Sequence, residues 1–209
     1  METTIIGTGN MARAIGSLIL AGGHSLTLHG TDRQKAEALA EELGGHIKAG
    51  TVGDPIAGEV VILAVPYSAL GELVSRYGAQ LKGKVVVDIT NPVDFQTWEP
   101  IMPEAGSAAQ EIAAAAPGAR VVKAFNTTFA GTLGAGQVEG QPLDVFIASD
   151  DEVAKRVVTQ LASDGGLRPI DAGPLRRAHQ LEALQYLHIA IQQALGTGFQ
   201  STVKVLAAQ

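Results

Sequence analysis

Ile5-Ile6-Gly7-Thr8-Gly9-Asn10-Met11-Ala12 sets two glycines and an alanine at the spacing Gly-x-Gly-x-x-Ala, after an apolar pair and before a helix-forming run. The chemistry this spacing permits is the binding of a pyrophosphate. Gly7 makes the tight turn, Gly9 lets the backbone approach the anion, and Ala12 keeps helix and strand close. The helix N-terminus meanwhile offers free N–H groups to anionic oxygens. A strand precedes the loop and a second strand–helix unit follows at the distance a dinucleotide fingerprint requires.

Specificity for the adenosine ribose is decided at the end of the second strand, where NAD sites place an acid. Here Leu26-Thr27-Leu28-His29 runs into Gly30-Thr31-Asp32-Arg33. With Gly30 at the acid position there is room for a 2′-phosphate, which the Thr31 hydroxyl, the Arg33 guanidinium and Lys35 could hold. A register shift of two would instead make Asp32 the ribose-binding acid and NAD the cofactor. Asp32 as a helix cap is compatible with either.

In an open α/β sheet, ligands lie beyond the carboxyl ends of the strands. Three strands end there in unusual residues: Ala64-Val65-Pro66-Tyr67, then Asp88-Ile89-Thr90-Asn91-Pro92, then Lys123-Ala124-Phe125-Asn126-Thr127-Thr128. Each alone reads as turn chemistry. Together they outline a small apolar and amide-bearing lip where a nicotinamide ring could rest. His29, His179 and His188 are isolated histidines, a type more often structural than catalytic.

Elements to position these residues can be read from pattern. Candidate strands are Thr3 to Gly7, Ser25 to His29, His46 to Ala49, Val60 to Val65, Lys84 to Ile89, Arg120 to Phe125, Leu143 to Ala148 and Leu167 to Ile170. Between them, Asn10 to Ala21, Arg33 to Leu43, Ser68 to Tyr77, Ala108 to Ala116 and Asp151 to Ser163 have helix-forming composition. Pro92, Pro100 and Pro103 make Thr90 to Ser107 an irregular excursion. The pattern predicts a Rossmann-type, doubly wound α/β fold with a mostly parallel sheet of about eight strands. It divides into a nucleotide-binding domain over 1–172 and a small helical segment over 173–209. In that segment Leu181, Leu184, Leu187, Ile191 and Leu195 form one stripe on a helix of about five turns. Packing against the sheet is the plain explanation, and pairing across a homodimer the other.

The composition narrows the rest. A formal charge of −6 argues against a nucleic-acid partner. The absence of cysteine removes disulfides, thiolate metal sites and cysteine nucleophiles, and no metal is expected. No apolar run approaches the roughly 20 residues that span a bilayer. With no basic, apolar leader at its start, the chain is expected in the cytoplasm.

The chain resembles the coenzyme F420-dependent NADP oxidoreductases and the reductase domain of the STEAP metalloreductases. The likeness rests on Gly7-Thr8-Gly9-Asn10-Met11, Gly30-Thr31-Asp32-Arg33, Val122-Lys123-Ala124-Phe125-Asn126-Thr127, and Leu167 to Leu175 followed by Arg177, Ala178 and Glu182. It implies that Thr8, Gly9, Asn10 and Met11 contact the pyrophosphate, that Thr31 and Arg33 hold the 2′-phosphate, and that Ala124 and Asn126 flank the nicotinamide. One departure is that Asp32 stands where relatives carry Arg. The implied reaction is hydride transfer between NADPH and a flavin-type acceptor: coenzyme F420, FMN or FAD. Such a transfer needs geometry more than side-chain chemistry, so no catalytic residue is expected. The opening Ile6 to Ile15 also resembles pyrroline-5-carboxylate reductase and its imine-reducing relatives, and an NADPH-binding sensor without turnover would share the same loop.

Overall fold

The computed structural model describes residues 1–94 and 96–207. Its sheet is built from β1 (Glu2–Ile6), β2 (Ser25–Gly30), β3 (Lys48–Thr51), β4 (Val60–Leu63), β5 (Val85–Asp88) and β6 (Arg120–Lys123). A small hairpin follows, β7 (Gln137–Val138) and β8 (Gln141–Pro142), and then β9 (Asp144–Ala148) and β10 (Arg168–Gly173) complete the sheet. The order across the sheet is β10-β9-β6-β5-β4-β1-β2-β3. The first six strands are parallel, and their order 3-2-1-4-5-6 is that of a doubly wound dinucleotide fold. β9 is antiparallel to β6 and carries β10 parallel to itself at the edge. The eight expected strands are all present.

The helices cover both faces. They are α1 (Asn10–Ala21), α2 (Arg33–Leu43), α3 (Leu70–Tyr77), α4 (Ala108–Ala115), α5 (Ala130–Ala135), α6 (Glu152–Asp164), α7 (Ala178–Ala190) and α8 (Gln192–Leu195). On one face Ile15, Leu18 and Ile19 of α1 pack with Leu39 of α2 and Val158 and Leu161 of α6 over Ile5, Leu28 and Val87. On the other, Leu70 and Leu73 of α3 and Ile112 of α4 cover Ile6, Val61 and Val86. Neighbouring strand residues such as Val86 and Val87 thus feed opposite layers, as the period of two demands. Burying strands on both faces is why they read as continuous apolar runs.

Two elements escaped the sequence reading. α5 is only six residues and two are glycine, a composition that argues against a helix. The hairpin that follows has strands of two residues each. The described residues between Thr90 and Ser107 are irregular as expected, with a bridge between Val93 and Pro100. No helix among the described residues is long and apolar enough to cross a membrane.

The C-terminal stripe is a correction. Leu181 is buried at 6%, but Leu187 is 58% and Leu195 53% exposed, while polar Glu182, Gln185, His188 and Gln192 face inward. Core packing therefore accounts only for the start of the stripe. The inward polar groups are satisfied locally: Gln192 Nε2 donates to the His188 carbonyl at 2.8 Å, and His188 Nε2 lies 2.9 Å from Ser201 Oγ. Ile191 also separates α7 from α8, so the run is two helices rather than one.

After α8 the chain returns along the sheet edge. Lys204 Nζ reaches Asp144 Oδ1 at 2.9 Å, and Val205 N–H donates to Asp144 Oδ2 at 2.8 Å. Arg168 holds both oxygens of the same carboxylate. Burial pushes Asp144 up, but hydrogen bonds from Arg168, Val205 and Lys204 outweigh it and hold the carboxyl at about 2.

Candidate functional site

The glycine loop is fixed by the strands beside it. Gly7 N–H donates to the His29 carbonyl at 2.8 Å, and Ala64 N–H donates to the Ile6 carbonyl at 2.8 Å. Gly7 adopts φ +129°, and a Cβ there would stand 2.0 Å from the Ala64 carbonyl oxygen. No other residue fits that turn. The loop lies between β4 and β2, where the strand order reverses, which is where ligands of such sheets sit.

α1 begins at this loop with no side-chain cap. Its N-cap is Gly9, with open space where a Cβ would stand. The first-turn N–H groups are therefore left to solvent or to a ligand, a ready anion site. Thr8, Asn10 and Met11 surround it, with Asn10 exposed and Met11 half-buried over the adjoining core.

At the end of β2, the Gly30 position faces the loop. A Cβ there would lie 2.9 Å from Thr8 Cγ2. The Gly30 position is thus turned toward the glycine loop and has no room for a side chain. Asp32 is the N-cap of α2, its carboxylate accepting from Gln34 N–H at 2.9 Å. Thr31, Arg33 and Lys35 are exposed beside it. Arg33 Nε donates to Glu37 Oε1 at 2.9 Å, an exposed i,i+4 pair of the sort worth about 0.3–0.5 kcal/mol, so the guanidinium is easily re-aimed.

The three strand ends converge only in part. Tyr67 is turned toward α4, where its hydroxyl donates to Glu111 Oε2 at 2.9 Å, and burial with that carboxylate pushes it up to about 12. Pro66 is exposed, while Ala64 and Val65 are half-buried beside the loop. Asn91 and Asn126 clasp each other: Asn91 Nδ2 donates to the Asn126 carbonyl, and Asn126 Nδ2 donates to Asn91 Oδ1, both at 2.9 Å. Asn126 Nδ2 also donates to the Leu181 carbonyl at 3.1 Å. Both amides are thus oriented by backbone carbonyls. Asn126 Oδ1, and next to it Thr127 Oγ1, are left buried without a partner. Such atoms are costly unless a ligand or water completes them. Phe125 just before them holds φ +61° while 2% exposed. That left-handed conformation costs a bulky residue on the order of 1–3 kcal/mol, which the surrounding packing must offset.

The sequence reading gave no role to what lies behind this turn. Lys123 is fully buried and its three N–H donors are all taken, by Asp88 Oδ2 at 2.8 Å, the Thr90 carbonyl at 2.6 Å and Glu182 Oε1 at 2.6 Å. Asp88 and Lys123 are partners in the β5–β6 register. A legible signal existed: a carboxylate and an ammonium ending two otherwise all-valine runs. His29 is buried against Tyr77, with its Nδ1 3.0 Å from the hydroxyl, and burial lowers its pKa. Burial likewise lowers His188.

A family model described as "NADP oxidoreductase coenzyme F420-dependent" matches residues 2–92. The F420-dependent NADP reductase of Methanocaldococcus jannaschii is 29% identical over 97% of this chain and 98% of its own. The chain is therefore similar to coenzyme F420-dependent NADP oxidoreductases, in the family match over its first 92 residues and in the Methanocaldococcus relative over nearly its whole length. A crystal structure titled as a putative F420-dependent NADP reductase from Arthrobacter sp. FB24 superimposes with a TM-score of 0.86 at 28% identity, over 99% of this chain and all of the other. Rat metalloreductase STEAP3 is 31% identical over 86% of this chain, which spans only 35% of that protein's length. A Streptomyces aurantiacus imine reductase, at 18% identity and TM-score 0.69, shares the fold. The likeness to these oxidoreductases agrees with the uncapped loop at Gly9, the glycine at the end of β2 and the unpartnered Asn126 Oδ1.

Proposed function

We propose that this chain is an NADP(H)-dependent oxidoreductase working in the cytoplasm. In this reading it passes a hydride between NADPH and a flavin-type acceptor, with a deazaflavin of the coenzyme F420 class ahead of FMN or FAD. The observation that carries the reading is the pair of unpartnered buried atoms, Asn126 Oδ1 and Thr127 Oγ1, at the end of β6 beyond the glycine loop. A carboxamide supplies the donors and acceptor that would complete them. The free first turn of α1 suits the pyrophosphate, and Gly30 with Thr31 and Arg33 leaves space and charge for a 2′-phosphate. Reduced nicotinamide supplies the hydride when bound; the chain's own part is to hold, orient and dry the two rings. The names of the Methanocaldococcus and Methanothermobacter relatives support the same reaction class. The deciding experiment follows NADPH absorbance with coenzyme F420, FMN, FAD and quinones. Binding without reduction of any acceptor would make the chain a sensor.

Cofactor choice has its own test. Arg33→Ala should weaken NADPH by about 1.5–3 kcal/mol, the worth of one charged hydrogen bond, and leave NADH nearly unchanged. Equal weakening of both, measured by fluorescence titration, would move the phosphate pocket elsewhere.

We also propose that the exposed ridge Leu187, Ile191 and Leu195 pairs with the same ridge of a second copy. From Ala183 to Val203 the chain carries no Asp, Glu, Lys or Arg, in a protein of net charge −6. Two identical surfaces meet about a twofold axis most easily where like charges do not face each other. The ridge adjoins a groove of about 620 Å³ bordered by Trp98, Ile189 and Phe199, which can receive the opposing leucines. Leu187→Glu with Leu195→Glu should convert a dimer to a monomer in light scattering; an unaltered mass would place the contact elsewhere.

A further inference from the structure

Glu182 stands where α7 meets the strand ends, 7% exposed. Its Oε1 accepts twice, from Lys123 Nζ at 2.6 Å and from Ala108 N–H at 3.1 Å. Its Oε2 has no hydrogen-bond partner among the hydrogen bonds of the described residues. Glu182 lines a cavity of about 140 Å³ with Pro92, Met102, Pro103, His179 and Tyr186, enough for the edge of a ring but not for a whole tricycle. Pro92 follows Asn91, and Leu181, next to Glu182, receives the Asn126 amide. Two residues of the cavity wall, Pro92 and Glu182, are thus chain neighbours of residues hydrogen-bonded to Asn126.

We propose that Glu182 is the proton donor that accompanies hydride transfer, its carboxyl carrying a proton on Oε2 at the cavity. This rests on the flavin-type acceptor reading above. A flavin or deazaflavin ring reduced by hydride becomes basic at a ring nitrogen and needs one proton for neutrality. In the step, Glu182 breaks its Oε2–H bond and forms an N–H bond on that nitrogen as the ring takes two electrons and a hydrogen from C4 of NADPH, leaving NADP. The resulting carboxylate stays paired with Lys123 and Ala108 N–H, and water returns the proton.

The electrostatics favour a resident proton. The titratable groups around Glu182 are Lys123 on β6, Asp88 on β5, Tyr67 ahead of α3 with its partner Glu111 on α4, and His179 and Tyr186 on α7. With Asp88, Lys123 and Glu182 all ionised, the buried cluster would hold one excess negative charge; a protonated Glu182 makes it neutral. Burial, aided by the Asp88 charge and opposed by Lys123 and Ala108, pushes Glu182 upward.

Glu182→Gln keeps an Oε1 acceptor for Lys123 and Ala108 and has no proton to give. The acceptor-free wild-type protein should show the infrared carbonyl band of a protonated carboxyl that persists above the pH at which ordinary carboxyls lose it, disappears as pH is raised further, and is absent from E182Q. NADPH affinity should be unchanged, while acceptor reduction falls about 100-fold, the usual worth of a positioned acid. The wild-type rate should decline as pH rises through the Glu182 titration, and E182Q should lose that limb. Glu182→Asp should be slower but keep it, and answers the same question if E182Q does not fold. No such band, or an E182Q rate and pH profile equal to wild type, overturns the proposal. If the wild type reduces no flavin-class acceptor, the functional reading fails instead, and the infrared band still decides whether Glu182 holds a proton.

Discussion

Gly9→Asp should fold at least as stably as the parent and lose NADPH. The two effects separate because Gly9 is the N-cap of α1, at φ −83° and ψ −174°, a conformation any residue adopts, with nothing within 4 Å of a Cβ. Aspartate is among the best residues at that position, its carboxylate accepting from first-turn N–H groups that are now free. The negative charge also meets the positive end of the helix dipole. Stability should thus rise by a few tenths to about 1 kcal/mol, which in a domain of this size moves Tm up by about 1–4 °C. Binding goes the other way. The new carboxylate occupies the anion site and opposes the pyrophosphate, and juxtaposed like charges cost several kcal/mol, so affinity should fall at least 100-fold. Calorimetry for Tm and titration with NADPH check both. Retained affinity would mean that the dinucleotide does not lie across this helix end.

That loop was legible in the sequence because its requirement is local: spacing, a preceding strand and a following helix. The strands were legible for a related reason, since parallel strands covered on both faces become apolar runs such as Val60 to Leu63, with their ends marked by glycine and proline. The phosphate turn was half legible. Gly30, Thr31 and Arg33 were in view, but which of Gly30 and Asp32 turns toward the glycine loop depends on register, and the contact of Gly30 with Thr8 is a tertiary fact.

Less could be read of the C-terminal helix. Leu181, Leu187 and Leu195 repeat at helical spacing, and the pattern does not say which neighbour lies on which side. In the fold the inward face is polar because His188, Gln192 and Ser201 satisfy one another there. Nor could spacing join Asp88, Lys123 and Glu182, which lie on three separate elements. Tertiary contact alone brings such a cluster together.

Lys123→Met should cost about 3–5 kcal/mol at neutral pH, the usual penalty for removing one partner of a buried ion pair. In a chain of this length that lowers Tm by on the order of 10 °C. Methionine fills similar volume, so the loss reflects charge rather than a cavity. The pH dependence gives the sign of the effect. Glu182 is already raised in the folded protein, so its protonated form is the one folding favours: its contribution is complete below the ordinary carboxyl pKa of about 4.5 and is lost as pH rises through the raised folded value. Without Lys123 that value climbs further, because the attraction opposing it is gone. The gap in stability between K123M and wild type should therefore widen as pH rises through the raised wild-type value toward the still higher value of K123M. Adding Glu182→Gln to K123M should close part of the gap and flatten its pH dependence, as expected of residues in direct contact. A K123M protein within 1 kcal/mol of wild type at pH 8 in denaturant titrations would mean that these charges reach water. If the penalty does appear, it has a second consequence. Lys123 is what binds α7 to the ends of β5 and β6, and the Leu181 carbonyl that orients Asn126 lies one residue from Glu182. Loosening the pair should release the amide proposed to face the nicotinamide, so on that proposal NADPH affinity should fall together with stability.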